Sequence, residues 1–149
     1  MNFRFASEAP EIRNRRLLPN PKGRRPYGVE TISKPQKGWT ITENLADAST
    51  VVEIGEGAGT YRMVDNDLTI TSLGHERYSF RSDDFGSVKA EAKWEFEFSR
   101  ADWRMHSVTE TTMTATSSHF HIEANLQAWE GEALVHEHKW AEAIERRLL

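Results

Sequence analysis

The sequence predicts an all-β fold, an antiparallel β-sandwich. Beyond residue 27, turn-forming residues recur every eight to twelve positions and β-branched or aromatic residues fill the intervals, a spacing typical of all-β domains. Residues 88–98, VKAEAKWEFEF, alternate apolar and charged side chains without a miss. As a strand, this segment has one apolar and one charged face. The apolar face must meet a second sheet or curl onto itself, which predicts a sandwich or a barrel. We favour the sandwich, with this face building its core.

The intervals between turn signals predict ten strands, of which the last four are long. Tight turns are expected at Asn66-Asp67, Leu73-Gly74-His75, residues 99–102 and Glu130-Gly131, where glycine and polar residues cluster. A short helix is expected over 141–149. The predicted strands are 29–33, 39–43, 50–54, 60–64, 68–72, 76–81, 87–98, 103–115, 118–128 and 134–140.

Residues 1–26 differ in composition from the rest and are interpreted as a basic, proline-containing arm before a sandwich domain over 27–149. Residues 1–37 hold nine Lys or Arg against three acids and all five prolines, whereas residues 38–149 hold ten against twenty. Clustered arginines can bind nucleic acid, but the body is acidic and would repel it. We therefore favour a solvated arm or one lying on an acidic neighbour, and expect no nucleic-acid partner.

Composition also sets the expected environment. There is no cysteine and no apolar run of the roughly 20 residues that span a membrane. We therefore expect a cytoplasmic protein with no membrane partner and no cofactor.

Four histidines are the candidate metal ligands, His119 and His121 in HFHIE and His136 and His138 in HEHKW. Histidines two apart on a strand point the same way, and a hairpin could combine both pairs into a zinc or copper site. If the two-residue turn is Glu130-Gly131, opposed residue numbers sum to 261. A bulged turn gives 262, pairs Ile122 with Trp140, and puts the two histidine pairs on opposite faces. The hydrophobic pattern favours 262, and hence solvated histidines; His119 and His121 stay as weak candidates only.

No catalytic residue is predicted. No serine lies in a Gly-x-Ser-x-Gly elbow, because Ser72, Ser79, Ser87, Ser117 and Ser118 all fall in expected strands or turns. DDFGS, residues 83–87, is expected to be a β-turn, since no other kinase motif accompanies it. GEGAG, residues 55–59, is expected to be a hairpin loop because no phosphate-binding helix follows. The carboxylates of Glu91, Glu95 and Glu97 alternate with lysines, which predicts a solvated charge ladder.

Several motifs between Tyr78 and Trp140 occur in a familiar order. A Ser-x-Arg-x-Asp-Asp turn precedes a long alternating strand ending in Trp. Next come an Asp-Trp turn, a threonine-rich strand closing in Met-Thr-Ala, a Phe-His strand, and an aromatic-Glu-Gly-Glu hairpin before a strand ending in Trp. These motifs lie at residues 79–84, Trp94, Asp102 and Trp103, 113–115, Phe120 and His121, 129–132 and Trp140.

In this order and spacing the chain resembles the C-terminal β-domain of the cocaine esterase and X-Pro dipeptidyl-peptidase-like hydrolases. A weaker likeness extends back to about Tyr27. The family's Ile-Pro-Arg near the end is here Ile144-Glu145-Arg146, and its β-domain is often longer, so this chain is interpreted as an incomplete copy, a split-gene partner or a free-standing relative.

The resemblance implies a jelly-roll-like accessory domain without catalytic activity of its own, since the family's serine, acid and histidine belong to a hydrolase domain that nothing here matches. The partners it implies are a separate α/β-hydrolase chain or a second copy of this chain. The alternative is a stand-alone barrel or sandwich that binds a small apolar or carbohydrate ligand. Five tryptophans could line its pocket, namely Trp39, Trp94, Trp103, Trp129 and Trp140.

Overall fold

The computed structural model describes residues 28–147 and, at Ala58, the backbone alone. These residues form eight β-strands, so the all-β, antiparallel class is confirmed. None of them forms a helix that is long and apolar enough to cross a membrane. The arm over 1–26 lies outside the described residues. The strands are β1 (Val29–Ser33), β2 (Gln36–Asn44), β3 (Ser49–Met63), β4 (Leu68–Arg81), β5 (Asp84–Arg100), β6 (Trp103–Ala115), β7 (His119–Glu130) and β8 (Ala133–Glu145).

All eight strands belong to one antiparallel sheet, in which β3 to β8 follow one another in chain order. Each of these connections is a tight hairpin, so consecutive strands pair with each other. The turn at Asn66-Asp67 is confirmed, and Asp67 has the positive φ of 54° that Asp tolerates in such turns. One edge of the sheet is β8, and β1 and β2 together form the other.

Strands β1 and β2 act as two halves of one edge strand along β3. Strand β1 pairs with residues 60–63 of β3 and β2 pairs with residues 49–57. The halves are separated by Lys34 and Pro35, and proline has no N–H to donate to a ladder. Gly59 lies opposite this break with φ +82°, and a Cβ there would lie 2.9 Å from the Lys34 carbonyl carbon. Only glycine fits this left-handed position without strain.

The prediction of a hairpin loop at GEGAG is therefore wrong. Strand β3 continues through it, and the predicted strands 50–54 and 60–64 are one strand with an irregularity in register between Gly57 and Gly59. The glycines do not reverse the chain. They allow a bulge in β3 and a close approach of the neighbouring backbone.

The predicted turn at Leu73-Gly74-His75 is also wrong, because these residues lie in the middle of β4. Gly74 pairs directly with Trp94 of β5. The indole ring lies over the glycine, so that a Cβ built there would be 2.6 Å from Cζ3 of Trp94. The glycine is thus required by the cross-strand ring rather than by a turn.

The helix predicted over 141–149 is replaced by strand as far as Glu145, because β8 continues beyond the predicted 134–140. Residues 142–145 pair with β7 from Ile122 back to His119. Arg146 then donates to the carbonyl oxygen of Thr116 at 2.7 Å, and its guanidinium lies 5.1 Å from the Phe120 ring centre. Pairing with a neighbouring strand overrides the helical propensity of this alanine- and glutamate-rich segment.

The β7–β8 register differs from both predicted pairings. The two loop residues are Gly131 and Glu132, and Glu130 pairs with Ala133. An irregularity between Ala128 and Trp129 shifts the opposed residue numbers to a sum of 264 further from the turn. Trp140 therefore faces Ala124 rather than Ile122. The turn begins one residue later than either prediction assumed, and a bulge adds a second shift. Sums of 262 and 264 give the same faces, so the predicted separation of the histidine pairs holds.

The described sheet is a single layer. Each described strand contacts only the strands to which it is hydrogen-bonded, and Ala115 is the one hydrophobic residue of the described range that counts as buried. A two-layer sandwich requires a second sheet about 10 Å away. Residues 28–147 form one such layer, so the predicted second layer is not found within the described part of the chain.

The Trp94–Gly74 contact predicts opposite outcomes for two glycine substitutions. Gly74→Ala should force the ring aside and lower the free energy of unfolding by about 1–3 kcal/mol, the usual cost of overpacking. Gly55 lies on the neighbouring strand and opposite face, with no atom within 4 Å of an added Cβ. Gly55→Ala should leave stability unchanged or raise it by up to about 1 kcal/mol. Urea unfolding followed by tryptophan fluorescence measures both, and equal effects would contradict the contact.

Candidate functional site

The two faces of the sheet differ sharply in chemistry. Directly paired residues share a face, so the register assigns the even-numbered side chains of β5 and their partners to one side. We call this side the apolar face. Its members on the four central strands are Ile70, Tyr78, Val88, Ala90, Ala92, Trp94, Phe96, Phe98, Met105, Met113, Ile122, Ala124, Leu126 and Ala128. The predicted apolar side of residues 88–98 is thus confirmed and continues across the sheet.

The apolar face is open. Trp39 is 75% exposed on β2, and Trp140 is 43% exposed at the other edge. Folded domains rarely leave contiguous apolar areas of this kind uncovered, and such areas mark interaction sites. Nine large exposed hydrophobic side chains belong to it, namely Val29, Trp39, Ile41, Tyr78, Phe80, Phe96, Trp103, Trp140 and Ile144.

Three acidic side chains of the apolar face, Glu56, Glu76 and Glu130, have partners on the same face. Lys37 Nζ lies 3.0 Å from Glu56 Oε1. The Tyr78 hydroxyl donates to Glu76 at 2.7 Å, which raises the pKa of that phenol. Trp103 Nε1 donates to Glu130 at 2.9 Å. These bonds lower the cost of removing the acids from water.

The opposite side, the charged face, carries the odd-numbered side chains of β5 and their partners in a network of ion pairs. Arg77 donates to Glu91 at 3.2 Å and lies 3.8 Å from Glu53, linking three strands. Lys89 donates to Glu91 at 2.6 Å, and this bond, followed by that from Arg77, lowers the pKa of Glu91. All these side chains are more than a third exposed.

The ladder predicted for the other two glutamates lies on this face as well. Glu95 pairs with Lys93 at 3.0 Å, and Glu97 accepts from Arg104 at 2.7 Å. The charges are therefore matched between side chains and turned towards water, the arrangement of a solvated outer surface.

The candidate metal ligands are split between the faces. His119 and His121 lie on the charged face with ring centres 6.1 Å apart, while His136 and His138 lie on the apolar face with ring centres 6.5 Å apart. Among residues 28–147 no group of three or more His, Asp or Glu side chains is placed to hold a metal ion. The structure thus brings each pair together but not the two pairs.

The five tryptophans do not converge on one pocket. Trp39, Trp94, Trp103 and Trp140 are spread over the apolar face, whereas Trp129 lies on the charged face. Trp129 stacks on His106 with ring centres 4.4 Å apart and an angle of 3°. The sequence analysis missed this pair, because only the β6–β7 register reveals that the two rings are directly opposed.

The one serine–histidine contact found among the described residues joins neighbours in sequence. Ser118 Oγ lies 2.9 Å from Nδ1 of His119, in the bend between β6 and β7. Glu145 is the cross-strand partner of His119, but its carboxylate pairs with Arg147 at 3.1 Å. A working triad needs an acid that orients the histidine. The only sign of this contact in the sequence is that Ser118 and His119 are adjacent.

The turn predicted over DDFGS is confirmed only at its first residue, Asp83, because Asp84 to Ser87 already belong to β5. The two turn residues are Ser82 and Asp83, and β5 starts at Asp84. Asp84 Oδ1 accepts from the Gly86 amide at 3.0 Å, and the Ser87 hydroxyl accepts from the Arg81 amide at 2.8 Å. The side chains are used to close the hairpin.

The lowered pKa of Glu91 predicts a small, pH-dependent stabilisation. A carboxylate with a lowered pKa stabilises the folded state above its ordinary value of 4.5, and this contribution is lost as pH falls through the lower folded-state value. Glu91→Gln should reduce the free energy of unfolding by less than about 1 kcal/mol at pH 7, because the pair is exposed. The difference from the parent chain should be smaller at pH 3 than at pH 7 in urea unfolding. A difference unchanged at pH 3 would contradict the ion-pair origin.

Comparison of the chain with family models, curated proteins and solved structures finds no match. The resemblance to the cocaine esterase-like β-domain therefore rests on the motifs alone and stays a prediction. What the geometry offers for function is an open apolar face of one sheet layer.

Proposed function

We propose that this protein is a non-catalytic accessory β-domain of the cocaine esterase-like type, which works as one layer of a larger assembly. The observation that carries the proposal is the exposed apolar face of a sheet whose opposite face carries solvent-exposed ion pairs. A sheet with one apolar and one charged face is a structural element that binds another protein layer through its apolar face. The partner implied by the resemblance is an α/β-hydrolase chain or a second copy.

Two features support a role without chemistry of its own. The Ser118–His119 contact is exposed and its neighbouring acid, Glu145, is held by Arg147. Lysine and arginine side chains pair with Glu53, Glu91, Glu95 and Glu97 on the charged face, and the pairs with Lys89 and Arg77 lower the pKa of Glu91. A general acid at neutral pH requires the opposite, a raised carboxyl pKa.

Hydrolysis by the purified chain tests this proposal. We expect no turnover of p-nitrophenyl acetate or of an Xaa-Pro p-nitroanilide above the buffer rate. Ser118→Ala is the informative variant, because Ser118 contacts a histidine. Ser117→Ala, one residue earlier, is its matched control. Turnover that Ser118→Ala abolishes and Ser117→Ala preserves would show that the chain is an enzyme.

The alternative function, binding of a small apolar or carbohydrate ligand, is favoured by one observation. A depression of about 540 Å³ lies beside the glycines of β3, lined among others by Gly55, Gly57, Leu73 and His75. Its size is within the range of ligand sites, but no tryptophan lines it, and aromatic rings are what typically provide contact area in such sites.

The glycines allow a direct test of ligand binding. Their backbone amide resonances, assigned with the Gly55→Ala variant, report on the depression. Titration with glucose, galactose and a short fatty acid should leave these resonances unchanged, since the depression is open and lacks an aromatic wall. A saturable shift confined to Gly55 and Gly57 would instead establish the ligand-binding function.

A further inference from the structure

We propose that a second copy of this chain covers the apolar face, so that two sheets stack face to face and complete a two-layer sandwich. This inference rests on the proposed function and names its partner. It supplies the second layer that the sequence predicts and that residues 28–147 of one chain do not contain.

The extent of the face fits an obligate dimer. Seven strand positions side by side and about eleven paired residues along each strand make a surface of roughly 30 Å by 37 Å. Two such surfaces would bury about 2,000 Å² or more, which is the range of permanent, apolar interfaces. A much smaller partner segment would leave part of the face in water.

The shape of the face suits a second sheet. On β5 the small Ala90 and Ala92 form a low stretch next to the large Trp94 and Phe96, and on β7 Leu126 lies between Ala124 and Ala128. Faces that contain both ridges and hollows can interdigitate at the spacing of about 10 Å found between packed sheets. A copy of the same sheet has the same twist and the same dimensions, as an isologous interface requires.

The charges of the face do not oppose such stacking. Glu56, Glu76 and Glu130 already have partners within their own chain, at 2.7 to 3.0 Å. Glu142 is exposed on the edge strand β8, where it stays at the margin of the interface. Unpaired charges are therefore confined to the rim, where they cost little.

Substitution on each face tests the proposal with a matched pair. Phe96 on the apolar face is 37% exposed and Leu73 on the charged face is 54% exposed, and they lie on neighbouring strands. Sedimentation equilibrium of the full chain should give twice the monomer mass. Phe96→Lys should abolish the dimer, either as a monomer or by unfolding, whereas Leu73→Lys, whose direct cross-strand partner is Glu95, should keep both the dimer and the circular dichroism spectrum.

Cysteine labelling of the folded protein gives a second measurement that does not depend on destabilising the chain. The sequence has no cysteine, so single introduced thiols are unambiguous. Ser107 lies on the apolar face and Val108, the next residue, on the charged face; both are half-buried in one chain. Ser107→Cys should react with a maleimide at least about tenfold more slowly than Val108→Cys.

Three results would overturn the second copy as the cover. A monomer with equal labelling of both thiols would leave the face open. A monomer with a protected Ser107→Cys would show that the chain covers its own face, with residues 1–27 as the candidate. A dimer with equal labelling would show that copies meet at strand edges. Each of these leaves the proposed function standing unless the chain also hydrolyses esters through Ser118, so the two failures are distinguishable.

Discussion

The hydrogen-bond ladder between neighbouring strands is the constraint on which the rest of this structure depends. Strands β2 to β8 are each held by their sequence neighbours through tight hairpins, β1 pairs with β3, and no described strand contacts one to which it is not hydrogen-bonded. Such ladders satisfy the backbone but leave both faces of the sheet without a covering layer. Further stability therefore has to come from the side chains of the two faces, and the interactions available to each face differ.

On the charged face the solution lies within the chain. Arg77 joins Glu53 and Glu91 across three strands, and Lys93 and Arg104 engage further glutamates. Exposed pairs of this kind contribute little free energy each, but like charges placed opposite one another would be unfavourable. The network thus favours one register and keeps this surface in water rather than building a core.

On the apolar face the chain alone offers no such solution. Burying a large hydrophobic side chain typically stabilises a fold by about 1.5–3 kcal/mol relative to leaving it exposed, and the nine large exposed side chains of this face forgo much of that gain in a single layer. The missing stabilisation requires a layer that residues 28–147 do not supply. Function and folding are therefore linked here, since the surface that would carry an accessory role is also the one whose burial completes the domain.

The sequence by itself determined the all-β class, the exact bounds of β1 and β6, and the two-faced character of residues 88–98, because a period-two alternation depends only on the pleat of a strand. It also separated the histidine pairs, since any even shift in register keeps their faces. The tertiary structure decided the rest. Local pattern predicts turns at Gly74 and at GEGAG. In the structure, Gly74 leaves space for the Trp94 ring, and Gly59 of GEGAG leaves space for the backbone at the break between β1 and β2. The end of β8 is a strand because it pairs with β7. The register between β6 and β7 places His106 opposite Trp129, and the apolar face is exposed because the described residues form one sheet. These features arise from contacts between residues far apart in the chain, which local pattern and propensity do not specify.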